Sequence, residues 1–290
     1  MRMKRVAAVA AAATLALGMS ACGGDDEGGS GSGSGGAKGI IGKAQSQKKL
    51  VVGVKADQPG LGLQTGSQYE GFDIEIAKIV AKGLGVDANN IEWKTTVSAN
   101  REPFIQQGTV DLVVATYTIN DERKQKVNFA GPYFIAGQDL LVKADSTLTG
   151  PEALDGKTVC SVTGSTPAKR IQSDYPKAKL QQFDSYSKCL PQLANGQVDA
   201  VTTDDIILAG YAAQSQYAGK FKVVGKTFSN EPYGIGLKKD DKDGCEKVNE
   251  ILKAAAADGS YKAAWDATLG KSGKAAPELD TTKLTNCGSV

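Results

Sequence analysis

Apolar and polar positions along this chain follow two rhythms. Residues 50–54, 112–115 and 158–162 are short, mostly apolar runs of the kind shown by strands buried on both faces of a parallel sheet, and 91–95 reads as a further strand. Between the first two, residues 72–84 place Ile76, Val80 and Leu84 four apart, with Gly85 beyond as a stop, which predicts an amphipathic helix. A short helix ending at Gln107 precedes the run at 112–115, and another starts at residues 164–167, where Pro167 suits the first turn and Ser165 or Thr166 the cap. Residues 55–66, punctuated by Pro59, Gly60, Gly62 and Gly66, read as a loop. Residues 133–142 and 231–237 read as extended, and 244–257 and 261–269 as helices, the second with Trp265 and Leu269 four apart on one face. The alternation predicts an α/β fold.

The pattern also repeats. Residues 108–113 (GTVDLV) and 196–201 (GQVDAV) share G-x-V-D-x-V, each after an amphipathic segment that the glycine would cap. Two similar α/β units follow from this. When the motifs are superimposed, Thr116 falls opposite Asp204. The first unit offers Thr116 and Thr118 and then the charged turn Asp121, Glu122 and Arg123, while the second offers a carboxylate. Ligands of open α/β sheets bind beyond the carboxyl ends of the strands, where a guanidinium fork donates two parallel bonds to a carboxylate. Arg123 for a carboxylate and Asp204 for an ammonium would suit a zwitterion such as an amino acid. Taken alone, Arg123 after a core strand and Arg101 at a helix start also fit ordinary surface residues. Ser98 and Arg101 lie past the end of the strand at 91–95, on the same side of the sheet as Thr116.

The start of the chain has another character. Residues 1–21 carry Arg2, Lys4 and Arg5 and then an Ala-rich apolar run too short to span a bilayer, as a signal peptide does. Residues 22–45 open with Cys22 and are largely Gly, Ser and acidic residues, a composition that predicts a flexible tether. Loss of residues 1–21 takes the balance of basic to acidic residues from 34 against 32 to 31 against 32, and no basic stripe points to nucleic acid. The remaining ~250 residues suit two lobes better than one core. We expect one lobe from residues 46–141 plus 232–290 and a second from 142–231, joined by two extended crossings that form a hinge. The sequence holds no His, which removes Ser-His-Asp and Cys-His catalysis and His-based zinc sites, and there is no C-x-x-C; no metal or cofactor is expected.

Several motifs together resemble the polar amino acid-binding proteins of ABC importers, solute-binding protein family 3. They are T-x-T-x-x-x-x-R at 116–123, FAGPY at 129–133, GFD at 71–73 and TTDD at 202–205. Within that family, VGVKADQPGLG (52–62), FAGPYFIAGQDLLV (129–142) and CSVTGSTPA (160–168) are similar to actinobacterial glutamate-binding lipoproteins. The resemblance runs from about residue 50 to about residue 269. It implies a two-lobed periplasmic-binding-protein-like fold with the ligand cleft between the lobes. It further implies a monomer without enzymatic activity that captures an acidic amino acid, L-glutamate first, for a permease. The segment ending Met19-Ser20-Ala21-Cys22 resembles a lipobox, which implies a lipid on Cys22 and anchoring at the outer face of the cell membrane.

By the same resemblance Arg123, Thr118 and Thr166 take the α-carboxylate, helped by free amides at the helix start near Gly164, and Asp204 with Thr116 takes the ammonium. Lys55, Ser98 and Arg101 form the side-chain pocket, whose positive lining favours a second carboxylate. Aspartate and glutamine stay open as ligands, as do an exported dehydratase and a sensor or adhesin module on the same fold. Without Cys22, four cysteines remain and permit three pairings; placement favours Cys160 with Cys189 inside the second unit, and Cys245 with Cys287 clamping the tail.

Overall fold

The computed structural model describes residues 37–272, 275–284 and 287–288. The expected signal peptide, Cys22 and most of the expected tether lie outside them. In chain order the elements are α1 (Gly39–Gln47), β1 (Leu50–Val54), β2 (Asp57–Gln58), β3 (Gly62–Thr65), β4 (Gln68–Glu70), α2 (Phe72–Gly83), β5 (Ile91–Thr95), α3 (Arg101–Gln106), β6 (Leu112–Val113), α4 (Asp121–Lys124), β7 (Asn128–Ala136) and β8 (Gln138–Lys143). There follow β9 (Thr158–Val162), α5 (Thr166–Asp174), β10 (Lys179–Phe183), α6 (Cys189–Ala194), β11 (Ala200–Asp204), α7 (Asp205–Ala212), β12 (Phe221–Val223), β13 (Glu231–Leu237), α8 (Lys242–Ala257) and α9 (Ser260–Ala267).

Two five-stranded sheets define two lobes. Their orders are β5-β1-β6-β13-β7 and β10-β9-β11-β8-β12. In each, three parallel strands carry the apolar runs and an antiparallel strand flanks the third. The repeated G-x-V-D motif does the same work in both. Gly108 and Gly196 adopt φ of 71° and 73°, a left-handed conformation that glycine takes without steric penalty. The next Asp then turns back on the first strand of its sheet: Asp111 Oδ2 accepts the amide of Val51 at 2.7 Å, and Asp199 Oδ2 that of Thr158 at 2.8 Å. The repeat is therefore a device for ending a helix and docking the next strand in register.

The chain crosses from the first sheet to the second at Gly137, between β7 and β8, and returns between β12 and β13. The first crossing comes earlier than the expected lobe boundary at residue 141, because β8 pairs along its length with β11 and β12. Three local expectations also need correction. The segment expected as a loop over 55–66 contains β2 and β3, which with β4 make a small antiparallel sheet. The apolar run at 112–115 stays buried, but its ladder ends at Val113 because the backbone turns at Thr116. The tether expected over 22–45 gives way to helix α1, which buries Ile40 and Ala44 and donates the Ile40 amide to Asp241 Oδ2 at 2.7 Å.

Phe72 anchors the core of the first lobe. It is fully buried, with the rings of Tyr261 and Trp265 each at 5.5 Å and Tyr133 at 6.2 Å, burial worth about 2–3 kcal/mol. Both favoured disulfides are present, Cys160–Cys189 and Cys245–Cys287, and the second ties the tail to α8. Among the described residues no helix is long and apolar enough to cross a membrane, and no cluster of His, Cys, Asp and Glu could hold a metal ion.

Candidate functional site

The candidate side chains emerge together because parallel strands all end on one side of a sheet. Lys55 follows β1, Ser98 and Arg101 follow β5, Thr116 and Thr118 follow β6, Thr166 begins the helix after β9, and Asp204 ends β11. Arg123 sits on α4, whose start is fixed by Asn120 accepting the Arg123 amide at 2.9 Å. All eight are buried except Thr166, which is half-buried.

One side of this region holds two buried cations, Lys55 and Arg101. Lys55 Nζ donates to Ser98 Oγ at 2.8 Å. Arg101 donates through Nε to the Ser98 carbonyl at 3.2 Å, and through Nη1 to the carbonyls of Ala115 and Thr116, both at 3.1 Å. Its guanidinium lies 4.4 Å from the centre of the Tyr117 ring. Neither Lys55 nor Arg101 makes an ion pair among the described residues. Burial, and then the charge of Arg101, push the Lys55 ammonium down to about 7. Burial and the charge of Arg123 lower Arg101 to about 10.

The second lobe presents the opposite need. Asp204 Oδ2 accepts from Tyr233 Oη at 2.6 Å, and Oδ1 is buried with no partner. Burial, and then the charge of Glu231, push this carboxyl up to about 7. A buried ionisable group without a compensating charge favours its neutral form, which is the direction of each of these shifts.

Between them the lobes touch. Arg123 forms an ion pair through Nε with Glu102 at 3.2 Å, donates through Nη1 to the Thr118 carbonyl at 2.7 Å, and reaches across with Nη2 to the Gly164 carbonyl at 3.2 Å. Its fork therefore has protein partners, where the sequence led us to expect it to await a carboxylate. Thr118 and Thr166 hydroxyls face each other across the lobes at 3.4 Å, and Thr166 gives its proton to Glu231 Oε2 at 2.7 Å. Thr116 Oγ1 donates to Gln58 Oε1 at 3.2 Å, which leaves its lone pairs free to accept from an ammonium. The anion site expected from free amides at the start of α5 is reduced: Pro167 has no N–H, and the Ala168 amide is capped by Ser165 Oγ at 3.1 Å.

Four residues near the site escaped the sequence reading. Gln58 is fully buried and its Nε2 has no partner. Tyr186 is buried, and burial, followed by the charge of Asp204, pushes its hydroxyl up to about 12. The offset that carries Gly108 to Gly196 and Thr116 to Asp204 carries Ser98 to Tyr186, so the repeat held the signal for it. Tyr233 comes from the return crossing. Asp73, in the GFD motif, accepts the Thr116 amide at 2.8 Å and Tyr133 Oη at 2.7 Å, and burial pushes its carboxyl up to about 6.

Comparison with known proteins agrees with this arrangement. The pattern of the bacterial extracellular solute-binding proteins, family 3, matches residues 50–270. Glutamate-binding protein GluB of Corynebacterium efficiens is 41% identical over 287 residues, covering 94% of each chain. The ABC transporter glutamine-binding protein GlnH of Bacillus subtilis is 39% identical over 227 residues, 77% of this chain and 82% of that protein. Among solved structures, an ancestral arginine-binding protein bound to glutamine superimposes with a TM-score of 0.72 at 37% identity, covering 77% of this chain and 98% of its own. With two lobes of matching topology, converging strand ends and a sequence match over most of its length, this chain belongs to the bacterial extracellular solute-binding proteins, family 3.

Proposed function

We propose that this chain is an extracytoplasmic binding lipoprotein that captures L-glutamate and delivers it to an ABC permease, acting as a monomer held to the outer face of the membrane through Cys22. The observation that carries the ligand class is the pair of buried cations, Lys55 and Arg101, which have no ion pair among the described residues. Leaving two such charges unmatched costs several kcal/mol, and a ligand side-chain carboxylate removes that cost. Asp204 Oδ1 and the lone pairs of Thr116 take the ammonium, and Arg123 with Thr118 and Thr166 takes the α-carboxylate, once the contacts of Arg123 with Gly164 and Glu102 rearrange. Each contact is a hydrogen bond or ion pair with no group set to break a covalent bond, so the ligand is held and not converted.

Glutamine is the second reading, since one of the relatives above is named for it. Its amide leaves Lys55 and Arg101 unneutralised, which favours glutamate. Calorimetry with glutamate, aspartate, glutamine and asparagine decides among them. In Arg101→Met glutamate is expected to lose several kcal/mol and glutamine much less. Equal losses in Arg101→Met and in Lys55→Met would remove the physical basis for an acidic ligand. An NMR time course showing consumed ligand would favour a dehydratase.

A further inference from the structure

Thr116 is one of two non-glycine residues with positive φ among the described residues, at 44°. A β-branched side chain is disfavoured in this left-handed region and stays there only when its surroundings impose it. The surroundings are visible. Asp73 Oδ2 accepts the Thr116 amide at 2.8 Å, and its other oxygen is fixed by Tyr133 Oη at 2.7 Å, so the carboxylate cannot swing away. Asp73 is itself placed by the first turn of α2, entered through Gly71 at φ 121°. A Cβ on Gly71 would lie 2.3 Å from the Leu61 carbonyl oxygen, so the residue before Phe72 and Asp73 has to be glycine.

The turn has a consequence for Arg101. Successive carbonyls of an extended strand point to opposite sides, so one nitrogen cannot ordinarily bond two of them. Arg101 Nη1 nevertheless donates to both the Ala115 and the Thr116 carbonyls, each at 3.1 Å. The left-handed turn at Thr116 brings them to one side. We propose that Asp73 is the positioning residue of this site: it touches no ligand, but by locking the turn at Thr116 it aims the two carbonyls that hold the Arg101 guanidinium over the side-chain pocket. In the function proposed above, on which the binding part of this inference rests, Asp73 therefore sets selectivity for an acidic side chain from outside the pocket.

The test joins a binding readout with one that needs no ligand. In ligand-free protein with 15N-labelled arginine, the Arg101 Nη1 protons should give a slowly rotating, exchange-protected NMR signal, and Asp73→Ala, which removes both acceptor oxygens, should abolish it. The same variant should lower the ratio of glutamate to glutamine affinity by on the order of tenfold. In a Thr116→Gly background, where the backbone adopts positive φ unaided, Asp73→Ala should change that ratio much less than in the wild-type background. If Asp73→Ala fails to fold, Tyr133→Phe removes one of the two bonds that fix the carboxylate and should shift both readouts in the same direction. A protected signal and an unchanged ratio in the folded variant would overturn the proposal, as would an equal effect in the glycine background. Should the wild-type protein bind neither amino acid, the glutamate reading fails and the NMR signal alone decides the role of Asp73.

Discussion

Tyr233 Oη donates to Oδ2 of Asp204 at 2.6 Å and leaves Oδ1 of the same carboxylate buried without a partner. The tyrosine comes from the return crossing β13 and the aspartate from the second sheet, so the proposed ammonium site would be assembled where the lobes join. Asp204→Asn keeps the shape and removes the charge. Every amino acid ligand should then bind about a hundredfold more weakly, the loss expected when one partner of a buried charge pair is removed. Retained selectivity for amino acids at wild-type affinity, measured by calorimetry, would place the ammonium elsewhere.

Protons should accompany binding, with opposite signs on either side of neutrality. In the empty protein Lys55 is lowered to about 7 and Asp204 raised to about 7, burial being the largest cause for each. A ligand carboxylate beside Lys55 favours its charged form, so glutamate binding above pH ~7 should take up a proton; an ammonium beside Asp204 favours the carboxylate, so binding below pH ~7 should release one. Calorimetry in buffers of different ionisation enthalpy measures both, and Lys55→Met should remove the uptake alone. For the empty protein, the Asp204 contribution to stability is lost as pH rises through about 7, and that of Lys55 is lost as pH falls through about 7. These two groups together therefore make the empty protein least stable near neutrality, which a pH series of unfolding midpoints should show.

The close approach of the lobes at Pro59 leaves room only for a glycine in α7. A Cβ on Gly210 would lie 2.5 Å from the carbonyl oxygen of Pro59 in the other lobe, beside the bond of Tyr211 Oη to the Asp57 carbonyl at 2.8 Å. Gly210→Ala should raise the helix propensity of α7 by about 1 kcal/mol while wedging the lobes apart. The expected result is an unchanged or higher unfolding midpoint with weaker ligand binding and no contraction on adding ligand in small-angle scattering. Normal contraction would show that the lobes accommodate the methyl group.

The disulfides should matter for different reasons. They close loops of 29 and 42 residues, for which the chain-entropy account gives about 4 kcal/mol each. Cys160→Ala with Cys189→Ala should lower the unfolding midpoint of the second lobe, where α6 packs beside β11. Cys245→Ala with Cys287→Ala should in addition free the tail, and limited proteolysis after residue 272 should appear only in that variant. Equal protease resistance would show that the tail is held by its other contacts, such as buried Leu279.

The sequence by itself determined the buried strands β1, β5, β6 and β9, the helices with an apolar face and the equivalence of the two units, but not the small sheet β2-β3-β4 or helix α1. Apolar period and glycine stops are local signals, and the G-x-V-D repeat marked equivalent places in both lobes because the same backbone docking is needed twice. It also named the residues that converge, since strand ends of a parallel sheet share one side. Direction of individual donors was beyond it. That Arg123 spends its fork on Glu102, Thr118 and Gly164, and Thr166 its proton on Glu231, depends on groups 5 to 65 positions away along the chain. The same holds for Asp73, which reads locally as an ordinary first-turn acid of a helix. Only the packing of α2 against the turn after β6 places its carboxylate under Thr116, because hydrogen-bond direction is fixed by distances and angles between elements, and those are set by the tertiary fold.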